Sequence, residues 1–273
     1  MLLRDTGGGT PALPTWAQVR PLPDGMEPFE LAHTDRFALF CPHPLHGGQV
    51  PERAGLRYYP LHIFRSLPYA EAGLTLREWL EQGILRQDEQ PAFYCYEIAF
   101  DLPGMSDISG MMGGRRSVAG LIAQVKLEEF SKGIVLPHEE TLSKAKADRF
   151  ELMKATGCNF SDVYALYMDD GGEMETLDTL ELIMREAPLT EVTDEAGLVH
   201  RLWAVTDPTL TAAIQARFAD TRLYIADGHH RYETALRYRD TLRAEGVPEG
   251  TDADYIMMML VEMDHPGLVV LPT

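Results

Sequence analysis

Hydrophobic positions recur along this chain with two periods, and the switches between them mark out the elements. Alternating or continuous apolar runs predict strands over residues 93–100, 117–126 and 163–168, and a short buried strand over 222–226. Weaker strand signals lie at 37–41 and 61–65, and residues 190–205 read as a hairpin with acidic turn residues. The run over 255–263, with Met257, Met258 and Met259, reads as a strand or a helix start; methionines in such a run fill cores. A period near 3.6 predicts a helix over 69–82, with Ala72, Leu76, Trp79 and Leu80 on one face. Further helices are expected over 142–156, 173–185 and 209–218, the last opened by Asp207 as cap and Pro208 at the first helical position. A helix from His229 to about residue 243 would bury Tyr232, Ala235, Leu236 and Leu242. The pattern predicts an α+β protein with a mixed sheet and packed helices, divided into an N-terminal α/β region at 1–115 and a core at 116–273. Residues 1 to 9 read as a flexible lead.

Composition narrows the partners. The 273 residues carry 24 Lys and Arg against 42 Asp and Glu, a formal charge of −18. Duplex binding needs a basic footprint, so this balance disfavours nucleic acid as a partner. An anionic substrate would have to be drawn in by a local cationic cluster. No apolar run approaches the length of a membrane span. Cys41, Cys95 and Cys158 are scattered, odd in number and without a C-x-x-C pair, which points to a reduced, cytoplasmic protein with buried thiols. Cys41, His43 and His46 lack a fourth ligand at recognised spacing, and a metal site there is disfavoured. The glycines and Arg115-Arg116 within 101–116 read as a solvated hairpin tip; no Gly-Lys-Ser/Thr follows, so there is no P-loop.

The densest chemistry is Asp227-Gly228-His229-His230-Arg231, which follows an apolar strand and opens a helix. Helix N-termini expose free N–H groups and the positive end of the dipole, so an anion is favoured there. Arg231 adds a bidentate donor for phosphate or carboxylate. Asp-Gly before a helix is also ordinary capping chemistry, with Asp227 as the cap. Adjacent helical residues point about 100° apart, so one of His229 and His230 would face a ligand fully. A second stretch, Pro137-His138-Glu139-Glu140-Thr141, precedes the helix at 142–156. Leu142 stands where a zinc-protease motif needs its second histidine, and Thr141 is a credible helix cap. Lys146 and Arg149 on that helix are phosphate donors or parts of a solvated face.

Residues 225–236, Ile-Ala-Asp-Gly-His-His-Arg-Tyr-Glu-Thr-Ala-Leu, resemble the signature of the domain of unknown function 1015 family. Asp227 to Arg231 also resemble the phosphate-binding motif of the ParB/sulfiredoxin superfamily, which includes sulfiredoxins, CTP-binding partition proteins and free-serine kinases. The resemblance implies a ParB/sulfiredoxin-like core at 116–273. It is weak over residues 1–57, where the family's early Pro-Tyr-Asp-Val type stretch is missing, and the chain ends at Thr273 where family members continue. Sulfiredoxin chemistry needs a cysteine in the turn, and His229 stands there instead. By the resemblance, Pro137-His138-Glu139 matches the first box of serine kinases, with Glu139 as base and Glu140 as the second candidate. The function this implies is a nucleotide-dependent phosphotransferase acting on a small hydroxyl metabolite. ATP or ADP would be held by Gly228, His229, His230 and Arg231, and Mg²⁺ by Asp227. The alternatives are a non-catalytic nucleotide-binding switch and a phosphate-ester hydrolase.

Overall fold

A computed structural model describes residues 3–4, 69–81, 88, 91–101, 115–138, 143–169, 176–194 and 197–268. The strands are β1 (Leu3–Arg4), β2 (Phe93–Phe100), β3 (Arg116–Lys126), β4 (Val135–Leu136), β5 (Val163–Tyr167), β6 (Thr190–Thr193), β7 (Val199–Val205), β8 (Leu223–Asp227) and β9 (Tyr255–Glu262). The helices are α1 (Tyr69–Glu81), α2 (Ser143–Thr156), α3 (Thr176–Met184), α4 (Pro208–Phe218) and α5 (His229–Ala244).

The strands form one mixed sheet in the order β4-β8-β5-β9-β3-β2-β7-β6, and β1 pairs with β3 off this path. The pairs β4/β8 and β5/β9 are parallel. The pairs β5/β8, β3/β9, β2/β3, β2/β7 and β6/β7 are antiparallel. The fold is therefore α+β, as the hydrophobic pattern predicts. β2 precedes residue 116 yet lies between β3 and β7, so strands from both sides of that position share one sheet.

Strand alternation divides the core into two layers. On one face Leu121, Ala123, Val125, Met258, Leu260, Val163 and Ile225 cluster with α3, α4 and α5 through Leu180, Phe218, Tyr232 and Ala235. On the other, Tyr94, Val118, Ile122, Leu202, Met257, Met259 and Val261 form a second cluster. β9 is thus a strand rather than a helix start, and its methionines are core on both faces. Burying each such side chain contributes roughly 1.5–3 kcal/mol, so β9 is anchored from both sides.

Several boundaries differ from the sequence expectation. Leu3 and Arg4 are not part of a flexible lead; they pair with Val125 and Gln124. Leu80 is 39% exposed rather than core, because α1 buries the narrower stripe Ala72, Gly73, Leu76 and Trp79. The helix expected from residue 173 is described from Thr176. Asp207 caps α4 as expected, accepting from the N–H groups of Thr209 and Leu210 at 2.9 Å each. Such a cap is worth about 1 kcal/mol. The expected strands at 37–41 and 61–65, the Cys41, His43 and His46 group and most of the 101–116 tip lie outside the described residues.

Candidate functional site

The parallel pairing of β4 with β8 sets Val135 beside Leu223 and Leu136 beside Tyr224. Both strands therefore leave the sheet at the same end, β4 into Pro137-His138 and β8 into Asp227-Gly228. The two chemical stretches of the sequence meet there. The His138 N–H donates to His229 Nε2 at 3.2 Å, and His138 Nδ1 lies 2.7 Å from the Ile225 carbonyl oxygen. The rings meet edge to face with centroids 4.4 Å apart. A carbonyl only accepts, so His138 carries its proton on Nδ1 and keeps an acceptor at Nε2. His229 accepts at Nε2, which places its own ring proton on Nδ1. His229 is 1% exposed and His138 is exposed. Of the adjacent pair, His229 is thus an internal strut under the 137–138 turn, while His230 is half-buried.

The cap of α5 is Gly228, not Asp227. Gly228 sits at φ 95°, in the left-handed region, and supplies no side-chain cap. Its carbonyl accepts from the N–H groups of Arg231 and Tyr232 at 2.8 and 3.0 Å. Asp227 instead ends β8 and pairs with Arg231, one helical turn further on. A charged partner four residues away is a stronger attraction for a carboxylate than a neutral N–H. The result is a helix mouth without the side-chain acceptor that Asp207 provides at α4, a geometry suited to an anionic ligand.

Arg231 is held at both ends of its guanidinium. Nη2 donates to the Asp227 carboxylate and Nη1 to the backbone oxygen of Asp162. The guanidinium folds back over Gly228, where a Cβ would stand 2.8 Å from Nε and 3.0 Å from Cζ and Nη2. Gly228 is therefore required by backbone geometry and by Arg231 together. Asp162 is buried, and burial pushes its carboxyl above the usual range while Arg231 pulls it back down. Burial, with Asp162 adding to it, pushes the Tyr164 phenol up to about 12. A bulge between Tyr164 and Ala165 lies opposite Asp227, the kind of irregularity that re-aims side chains beside sites. Asp162 was not legible as a site residue, although an acid directly before an apolar run was a usable signal.

Arg149 is half-buried on α2, which packs along α5 where Phe150 meets Tyr238 edge to face at 6.4 Å. Glu139, Glu140, Thr141 and the side chain of Lys146 lie outside the described residues. Among the described residues no group of three or more His, Cys, Asp or Glu is arranged to hold a metal ion. Asp227, the residue expected to hold Mg²⁺, pairs with Arg231 and is 60% exposed. Cys95 and Cys158 are buried, and burial pushes both thiols up to about 12, so neither is a reactive thiolate. Among the described residues no helix is long and apolar enough to cross a membrane.

A family model described as a protein of unknown function (DUF1015) matches residues 60–273. The chain belongs to the DUF1015 family. The matched span holds the whole α5 mouth of this DUF1015 chain, from His138 to Arg231. No curated protein and no solved structure matches it.

Proposed function

We propose that this DUF1015 protein binds the phosphates of a nucleotide at the mouth of α5 and passes a phosphoryl group to the hydroxyl of a small metabolite such as serine. The observation that carries this reading is the convergence of Pro137-His138 with the uncapped Gly228-His229-His230-Arg231 turn across the β4/β8 pair. Backbone N–H groups of the α5 first turn would receive phosphate oxygens, and Arg231 would neutralise their charge. Glu139 follows His138 directly and is the proposed base for the acceptor hydroxyl, on the resemblance to serine kinases. ATP or ADP is proposed to arrive as its Mg²⁺ complex, the metal travelling with the substrate. The kinship this implies is with the ParB/sulfiredoxin superfamily, and the setting a cytoplasmic one.

The test incubates the protein with Mg²⁺ and ATP or ADP in the presence of L-serine and other small hydroxyl compounds, and follows phosphorus by NMR. A new phosphate ester is expected, lost in Glu139→Gln while nucleotide binding survives. A ligand at 100 times its Kd adds about 2.7 kcal/mol of stability. That raises Tm by roughly 5–10 °C for a domain of this size. No ester and no nucleotide-dependent rise in Tm sinks the reading. Free phosphate without an ester marks hydrolysis instead. One observation favours a binding-only switch: Arg231 is already held by Asp227 and Asp162, so a phosphate would displace an internal partner. In that case Glu139→Gln leaves the nucleotide response unchanged and no ester forms in either protein.

A further inference from the structure

A second set of titratable side chains lies away from the α5 mouth, where β2 pairs with β7. The register sets Ile98 opposite His200 and Tyr96 opposite Leu202. Strand alternation then puts Tyr96 and His200 on the same face as diagonal neighbours. Their rings stack at 20° with centroids 6.1 Å apart. The Tyr96 hydroxyl lies 2.7 Å from His200 Nδ1, and His200 Nε2 lies 3.3 Å from Asp194 Oδ2. Asp194 sits in the turn between β6 and β7, where its Oδ1 accepts the Leu198 N–H at 2.8 Å.

The direction of this chain follows from the chemistry of its ends. An ionised carboxylate only accepts, so His200 Nε2 carries the ring proton. Nδ1 is then the acceptor, and the Tyr96 hydroxyl donates to it. The order is phenol, imidazole, carboxylate. His200 is the most enclosed of the three, its side chain 6% exposed against 14% for Asp194, and Tyr96 is half-buried. Burial lowers the imidazole's proton affinity below its ordinary value, and the hydrogen bond to Asp194 partly restores it. His200 is therefore neutral near pH 7 and able to take a proton. Glu97 and Arg201 alternate onto the opposite face, where they pair with each other at 2.8 Å.

We propose that Tyr96 is a nucleophilic site for an activated acyl or phosphoryl donor, with His200 as its base and Asp194 holding that base in position. In the step, the Tyr96 oxygen forms a bond to the electrophilic carbon or phosphorus. The phenolic O–H bond breaks, and its proton moves to His200 Nδ1. The donor's leaving group departs with its bonding electron pair. The products are an O-acyl or O-phosphoryl Tyr96, the leaving group and an imidazolium held through Nε2–H by Asp194.

An aryl sulfonyl fluoride, which labels activated phenols by the same displacement at sulfur, is the probe for the full chain, with sites read by peptide mapping. Tyr69 is the internal reference. It is 38% exposed, and its hydroxyl donates to the Asp148 carboxylate at 2.8 Å, which pushes its phenol up. Among the described residues it has a carboxylate acceptor and no imidazole partner. Tyr96 is expected to label at least about tenfold faster than Tyr69, and His200→Gln to remove that advantage. In the unmodified chain the Tyr96 rate should hold as pH falls to 6.5 and drop only as His200 protonates below it, while Tyr69 shows no such step. That profile serves where His200→Gln does not fold. Labelling no faster than at Tyr69, labelling undiminished in a folded His200→Gln, or a wild-type profile without the step overturns the proposal.

Discussion

Gly228→Ala tests the α5 mouth from the backbone outward. At φ 95° a residue with a Cβ is strained, and the left-handed conformation costs about 1–2 kcal/mol. The added methyl would also stand 2.8 Å from Arg231 Nε, inside any normal contact. The guanidinium must swing away, giving up its hydrogen bonds to Asp227 and to the Asp162 carbonyl. Asp227 is 60% exposed, so its share is small, about 0–1 kcal/mol. The bond to the Asp162 oxygen is charge-assisted and partly buried, which brings the loss to about 1–2 kcal/mol in all. The whole substitution should then cost about 2–4 kcal/mol, the sum of backbone strain and lost Arg231 contacts. The assay is urea unfolding of wild type, Gly228→Ala, Arg231→Ala and the double variant. In the Arg231→Ala background only the backbone part remains, so Gly228→Ala should cost about 1–2 kcal/mol there, and the cycle should show a coupling of similar size. Equal costs in both backgrounds would refute the claim that Arg231 lies over Gly228. A cost under about 0.5 kcal/mol would refute the strained backbone as well.

Asp227→Asn releases Arg231 from its internal counter-charge, so metal-free pyrophosphate should bind about tenfold tighter by calorimetry, a change of about 1.4 kcal/mol. Weaker binding would mean that Asp227 assists the anion rather than competing with it. Burial lowers both His200 and His265 from the ordinary 6.5, so below that pH the unfolded chain binds more protons than the folded one. Their contribution to stability is present above 6.5 and is lost as pH falls through the lowered folded values. Asp162, whose carboxyl burial raises, acts with the opposite sign, so the histidine part is read from the difference in urea midpoint between wild type and His200→Gln, which should rise from pH 5 to 6.5 and then level off. A difference that falls from pH 5 to 6.5 would contradict this sign.

The elements that repeat a simple period were legible in the sequence. β2 spans 93–100 as its aromatic run predicts, and β3 gains one residue at its start, because a strand buried on both faces is apolar throughout. α5 begins at His229 as expected, since an Asp-Gly pair after an apolar run can neither extend the strand nor sit inside a helix without cost. β4 was missed, because two residues are too few to show a period. The role of Asp227 was misassigned for a related reason. Local rules rank Asp as a cap, and they do not weigh a guanidinium one turn away against a backbone N–H.

Composition and periodicity alone therefore determined the class of the fold, most of the strands and helices, and the stretch at 227–231 where chemistry concentrates. These follow from local physics: burial of one face and the conformational range of glycine. Tertiary structure alone decided that His138 meets His229 across 91 positions of sequence, through a parallel strand pair whose register no local pattern encodes. It also decided that Asp162 anchors Arg231, and that Tyr96, His200 and Asp194 form one directed chain. These contacts link separate elements, two of them through backbone atoms, the His138 N–H and the Asp162 oxygen, and only the packed fold brings them within hydrogen-bond reach.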